Sequence, residues 1–291
     1  MVSVESCLLL PERFKSVPAK LSGALGYVFK GQEETLKRVG LRVSRSGGDV
    51  ELALWTEPGA CNRAFVAKVL ADTVKTTSLV RVLVKGEIEK RDVRKVEVLA
   101  GKGFWQEQLV GFDFKVSAPS FFQTNSDIAE MMIKEVVAWM EDRIGRESGG
   151  DGRIIDLYSG VGTFTLPLAD VFDDVVAVEM AGSSVRDLRR NLEDNGLYAE
   201  VIGGSVERAL PELPSGAHIV VDPPRSGLSE TARAAIITAR PRSIAYVSCD
   251  PATLARDLGE FLKNDYTLEA VKPFDMFPRS HHVESIALLA G

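Results

Sequence analysis

A cysteine stands where a nucleophile could act. In SCDPATLARDL, Ser248 to Leu258, Cys249 closes the apolar run SIAYVSC just before a helical pattern begins. Backbone N–H groups and the macrodipole at a helix N-terminus favour a thiolate. In an open α/β sheet, ligands bind in the crevice beyond the carboxyl ends of the strands. A second cluster lies in DLYSGVGTF, where Gly160 and Gly162 follow an apolar strand pattern and precede a helix. Glycines there let the backbone pass close to a ligand. No phosphate-loop lysine follows, and the next strand pattern, VVAVEM, ends in an acid, Glu179. An acid at that position suits a ribose hydroxyl pair, so a nucleoside-containing cofactor is favoured over a bare phosphate. In a third segment, HIVVDPP, the carboxylate of Asp222 is followed by Pro223 and Pro224, which deny an immediate helical continuation.

These residues need a scaffold, and the chain supplies two kinds. From Arg153 onward, strand and helix patterns alternate: RIIDLY, DVVAVE, AEVIGG, HIVVDPP and SIAYVSC are strands separated by helices. Alternation of this kind predicts a parallel, doubly wound sheet. YTLEAVKPF and HVESIALLA have no helical segment between them and are expected to close the sheet as a strand pair. SDIAEMMIKEVVAWMEDRIG, Ser126 to Gly145, has helical spacing with Ser126 as its expected N-cap, and the polar connection Arg146–Arg153 follows. Before it, LRVSRSGGDVELALW reads as a hairpin about Gly47–Gly48, NRAFVAKVLADTVKTT as a helix, and LVRVLVKGEIEK and RKVEVLAGKGFWQEQLVGFDFKV as further strands. The expected organisation is a small α+β domain rich in antiparallel strands over 1–115 and a larger α/β domain over 116–291.

Composition narrows the class. The chain has 291 residues, 45% of them hydrophobic and 26% charged, as in an ordinary soluble globular protein. It carries neither a long apolar run nor a signal-peptide pattern at Met1–Lys15, so a cytoplasmic protein is expected. Three widely spaced cysteines argue against a disulfide framework. The net charge of -6 divides unevenly: residues 1–115 hold 19 Lys+Arg against 14 Asp+Glu, and residues 116–291 hold 16 against 27. A basic front half could supply phosphate contacts that the acidic back half cannot.

Taken together, SCDPATLARDL, DLYSGVGTFTLPLA (Asp156 to Ala169), DPPRSG (Asp222 to Gly227), FFQTN (Phe121 to Asn125) and HHVES (His281 to Ser285) resemble the S-adenosylmethionine-dependent RNA uracil-5-methyltransferases. The resemblance covers Gly101 to the C-terminus and is much weaker before it. It implies a Rossmann-like class I methyltransferase domain of seven strands, the last antiparallel. It further implies Cys249 as covalent nucleophile, Glu284 as the base that removes the carbon 5 proton, and Asp222 as an acceptor for uracil N3–H. For S-adenosylmethionine it implies Gln123, Asp156, Tyr158, Gly160, Gly162, Glu179 and Asp222. For the target base it implies Phe121 and Arg225, one of Phe121 and Phe122 being core.

The chain departs from the family pattern at Arg279, where many members have histidine, and at Ser205, where an acid near the adenine is more common. SCLLLPERF around Cys7 looks like the last ligand segment of an iron–sulfur site without its three preceding cysteines, so no cluster is expected, whether the start is short or the cluster was lost. The expected protein is a monomeric RNA methyltransferase making 5-methyluridine, with rRNA favoured over tRNA, and without a metal or membrane partner. Methylation of another RNA base is one rival, but no second cysteine lies near Cys249. A non-catalytic RNA-binding module on the same fold is another, against which the joint presence of Cys249, Glu284, Asp222 and Gln123 argues.

Overall fold

The computed structural model describes residues 5–7, 10–46, 48–86, 92–146, 152–210 and 215–291. Gly47, most of the 146–153 connection, the end of LVRVLVKGEIEK and two residues of SCLLLPERF lie outside them. The chain forms two compact units, 1–107 with 115–119, and 108–114 with 120–291.

The first unit contains α1 (Val17–Val28), β1 (Leu36–Val43), β2 (Val50–Thr56), α2 (Arg63–Thr73), β3 (Ser78–Val84) and β4 (Val93–Gly101). The strands form one sheet in the order β1-β2-β3-β4. Its outer pairs are antiparallel, as expected, but β2 and β3 are parallel. Helix α2 lies between them in sequence, and a crossover helix returns the chain in the same direction. Alternate residues Val50, Leu52 and Leu54 of β2 pack with Val17 and Leu21 of α1 and Val66 and Leu70 of α2. Helix α1 is absent from the sequence reading: Pro18, Gly23 and Gly26 dilute its apolar spacing, and glycine is a poor helix former. The strands β5 (Trp105–Leu109) and β6 (Phe112–Val116) form a separate two-stranded pair.

The second unit begins with α3 (Ser126–Gly145). Its cap is Asn125 rather than Ser126: the Asn125 side-chain oxygen accepts from the Ile128 N–H at 3.3 Å, while Ser126 is already helical and buried. There follow β7 (Ile154–Leu157), α4 (Thr165–Val171), β8 (Val175–Glu179), α5 (Gly182–Asp194), β9 (Glu200–Gly203) and α6 (Val206–Ala209). The chain continues through β10 (His218–Val221), α7 (Glu230–Ala239), β11 (Ser243–Ser248), α8 (Pro251–Leu262), β12 (Thr267–Phe274) and β13 (Glu284–Ala290). The seven strands run in the order β12-β13-β11-β10-β7-β8-β9. All neighbours are parallel except those of β13, which is antiparallel to β11 and β12. Strands β7, β10 and β11 are buried along their whole length, which is why they read as continuous apolar runs rather than alternating ones. The strand order reverses between β7 and β10, and an α/β sheet opens a ligand crevice at such a switch.

Candidate active site

Sheet register brings the predicted residues to one edge. Leu157 of β7 pairs with Val178 of β8 and with Val221 of β10. One residue further along each strand stand Tyr158, Glu179 and Asp222. Strand β11 runs parallel to β10, so Cys249 emerges at the same carboxyl edge. Strand β13 runs the other way and begins there with Glu284. Its ladder with β11 proceeds from Ser243↔Ala290 to Ser248↔Ser285, and the next pair in that register is Cys249 with Glu284. The thiol and the carboxylate are therefore neighbours through the antiparallel pairing.

The glycine turn forms the other half of the site. Tyr158, Gly160 and Gly162 have φ of 61°, 57° and 98°; for the tyrosine this left-handed backbone is uncommon, and such strain gathers at functional sites. A Cβ on Gly162 would come within 2.5 Å of Leu166 and 2.6 Å of Leu188, whereas one on Gly160 would meet nothing within 4 Å. Gly162 thus serves packing, and Gly160 faces open space. Glu179 is fixed from both sides, its Oε2 accepting from Gly160 N–H at 2.9 Å and its Oε1 from Ala181 N–H at 2.6 Å. Its remaining lone pairs are free to take a hydroxyl pair.

Asp156, in the buried centre of β7, accepts from the Thr165 hydroxyl at 2.6 Å through Oδ2. Its Oδ1 is buried with no partner. Burial pushes its pKa up to about 7, with Glu179 adding to the rise and the Thr165 hydrogen bond opposing it. An orphaned buried carboxylate oxygen costs free energy until a donor arrives, and a cofactor carrying an ammonium group fits that vacancy in the hydrogen bonding. The Asp156 oxygen, the open Gly160 and the fixed Glu179 together suit an amino-acid-bearing nucleoside.

At the chemical end, burial raises Glu284 to about 7 while Arg225 opposes the rise. Asp222 lies well above the usual carboxylate range because of burial, then Glu284 and Asp156. The Cys249 thiol is also pushed up, by burial and then by Glu284 and Asp222, against a lowering by Arg225. A backbone N–H at Cys249 lowers the thiol's pKa, in the sense expected at a helix N-terminus, but burial and the two acids prevail. Asp250 caps α8, and its Oδ1 takes the Ala252 and Thr253 N–H groups at 3.0 Å each. Asp250 followed by Pro251 was a legible cap signal.

Phe121 is 57% exposed, and Phe122 is core, its ring 5.5 Å from that of Phe114. Gln123 is buried beside them in sequence. Arg225, Cys249 and Asp250 line one cavity with His281 and His282. Two residues escaped the sequence reading. His282 receives a hydrogen bond from Arg225. Asp257, fully buried, accepts from Leu228 N–H (2.8 Å), Tyr246 OH (2.6 Å), Arg233 (2.9 Å) and Arg256 (2.9 Å), tying the loop after Asp222 to α8 and β11. An aspartate at helical spacing inside LARDL carries no signal of its burial. Among the described residues no group of three or more His, Cys, Asp or Glu could hold a metal, and Cys7 and Cys61 are free thiols.

Comparison with known proteins shows what the whole chain is similar to. A family model described as tRNA (uracil-5-)-methyltransferase matches residues 70–202 and 214–291. An uncharacterised RNA methyltransferase of Gloeobacter violaceus is 33% identical over 267 residues, spanning 90% of this chain and 57% of the relative. One of Caldanaerobacter subterraneus subsp. tengcongensis is 41% identical over 200 residues, 67% of this chain and 42% of the relative. The chain spans about half the length of the curated relatives it matches. Among solved structures, the Pyrococcus abyssi tRNA (uracil-54, C5)-methyltransferase in complex with S-adenosyl-L-homocysteine superposes with a TM-score of 0.76 at 27% identity, over 100% of this chain and 70% of that one. The tRNA m1G37 methyltransferase of M. jannaschii, at 16% identity and a TM-score of 0.54 over 94% of this chain and 78% of that one, shares the fold alone.

Proposed function

The chain belongs to the tRNA (uracil-5-)-methyltransferase family, and from that premise we propose that it transfers a methyl group from S-adenosylmethionine to carbon 5 of a specific uridine in RNA. The observation that carries the reading is the register that sets Cys249 opposite Glu284, with Asp222 at the same sheet edge. Carbon 5 of uracil is a poor nucleophile. Cys249, once ionised, forms a sulfur–carbon 6 bond and drives the ring electrons toward carbon 5 as an enolate. S-adenosylmethionine, when bound, supplies an electrophilic methyl on its sulfonium. Glu284 then takes the carbon 5 proton, and the returning electron pair re-forms the 5,6 double bond as the sulfur–carbon 6 bond breaks. Asp222 accepts from uracil N3–H, a donor that cytosine lacks. Phe121, exposed beside buried Gln123, packs on a base flipped from its stack, and Arg225 binds the same nucleotide.

For the cofactor, Asp156 Oδ1 suits the amino group, Glu179 the ribose hydroxyls and Gln123 the methionine end, with Tyr158, Gly160 and Gly162 shaping the turn around it. The basic 1–115 segment is read as the RNA-binding half. Among the described residues no helix is long and apolar enough to cross a membrane. The sequence expectation favours rRNA, whereas the matched family and the archaeal structure are described as tRNA enzymes, so both RNA fractions are substrates to assay.

The experiment separates the two carboxylates. Glu284→Gln should allow addition and methyl transfer but stall before elimination, leaving protein attached to methyl-labelled RNA on a denaturing gel. Asp222→Asn should weaken the first addition and give little adduct. The opposite pattern would exchange their roles, and no adduct with either would remove the covalent route.

A further inference from the structure

We propose that His282 is a positioning residue for Arg225: its ring accepts the guanidinium's hydrogen bond and fixes that charge at the wall of the cavity that holds Cys249. Arg225 Nη2 donates to His282 Nδ1 at 2.6 Å and lies 3.1 Å from Nε2. Both residues line the cavity with Cys249. His282 is itself held, since its N–H donates to Ser280 Oγ at 3.2 Å and its ring meets His281 at 4.1 Å and Phe277 at 6.0 Å. The main chain of Arg225 is already tied to α8, its carbonyl accepting from the Thr253 hydroxyl at 3.2 Å. Only the long, exposed side chain needs placing, and such a chain is mobile without an acceptor.

The charge matters where it stands. Cys249 faces Glu284 at the start of β13, Asp222 beyond β10 and Arg225 in the following loop; the two carboxylates oppose its ionisation and Arg225 favours it. Arg225 acts in the same sense on Glu284. His282 faces Arg225, His281 and Asp250, and its proton affinity is lowered by burial, Arg225 and His281 against a rise from Asp250. A guanidinium only donates, so the ring must offer a lone pair, which the neutral form has. Acidification that protonates His282 breaks the pair.

The inference rests on Cys249 as the reacting thiol, but its test needs neither RNA nor cofactor. Iodoacetamide alkylation of Cys249, followed by peptide-resolved mass spectrometry across pH, gives the thiol's titration midpoint in the full-length chain. Arg225→Ala and His282→Ala should each raise the midpoint by about half a unit, and the double variant should go no further. His282→Gln, which keeps an acceptor, should restore part of the shift. A midpoint unchanged in His282→Ala while Arg225→Ala moves it, or single shifts that add in the double variant, would overturn the proposal. A failure of the methyltransferase reading would be seen elsewhere, as turnover by Cys249→Ala.

Discussion

Asp156 is the residue whose surroundings most clearly await something. One oxygen is satisfied by Thr165, and the other is buried and bare. Its pKa stands at about 7 instead of 3.8, so in the folded protein it binds its proton more tightly than in the unfolded chain. A raised carboxyl contributes stability below the unfolded value, and that contribution is lost as pH rises through the folded one. Unliganded protein should therefore melt at lower temperature at pH 8 than at pH 6. Asp156→Asn should raise the Tm at pH 8 by several degrees, of the order of 1 kcal/mol or more, while weakening S-adenosylmethionine at least tenfold by calorimetry. An Asn variant that binds normally would remove Asp156 from the cofactor site. Glu284 gives the kinetic counterpart. A base must be unprotonated, so release of methylated RNA in single turnover should rise with pH through about 7. Cys249→Ala should abolish methyl transfer while leaving cofactor affinity within about twofold, because losing the nucleophile leaves the cofactor pocket intact. Substantial turnover by that variant would instead favour chemistry without a covalent adduct.

At the scale of elements, the glycine turn between β7 and α4 divides its labour between two positions. Gly162→Ala should destabilise the fold by about 1–3 kcal/mol, since the new methyl collides with Leu166 and Leu188 on a backbone already at φ 98°. Gly160→Ala carries only the left-handed backbone cost of about 1 kcal/mol, yet its methyl projects into the open cleft and should weaken cofactor binding. Comparing Tm with affinity for the two variants checks the division. The strand–helix alternation after Arg153 was legible because fully buried strands read as short apolar runs between helical periods. Less visible was how the strands meet. Cys249 and Glu284 are joined by a ladder register that depends on the turn between β12 and β13, and no local pattern encodes it. The cap of α3 was misread by one residue because Asn125 and Ser126 are both good caps, and only the backbone decides between them.

At the scale of the molecule, the proposed RNA-binding role of the basic 1–115 segment, set against the acidic remainder, makes RNA affinity an electrostatic matter. Raising salt from about 50 to 300 mM should weaken RNA binding about tenfold or more, while S-adenosylmethionine binding changes little. Equal salt sensitivity of the two would detach the RNA from the front half. With Cys7, Cys61 and Cys249 as its only thiols, the purified chain should be colourless, and visible absorbance would point to ligands from another subunit. The order of the sheet carries one more consequence, concerning time rather than geometry. Of the seven strands, β13 is synthesised last but sits inside the sheet, between β11 and β12. Until it arrives, β11 has one bare edge, β12 has no partner, and Cys249 exists without Glu284. On the proposed mechanism, a growing chain on the ribosome thus has the group that would attach to a uracil before it has the group that would let go. Because the strand that brings Glu284 also completes the pairing of β11, the proposed nucleophile is firmly placed and the proposed means of release arrives in the same folding event.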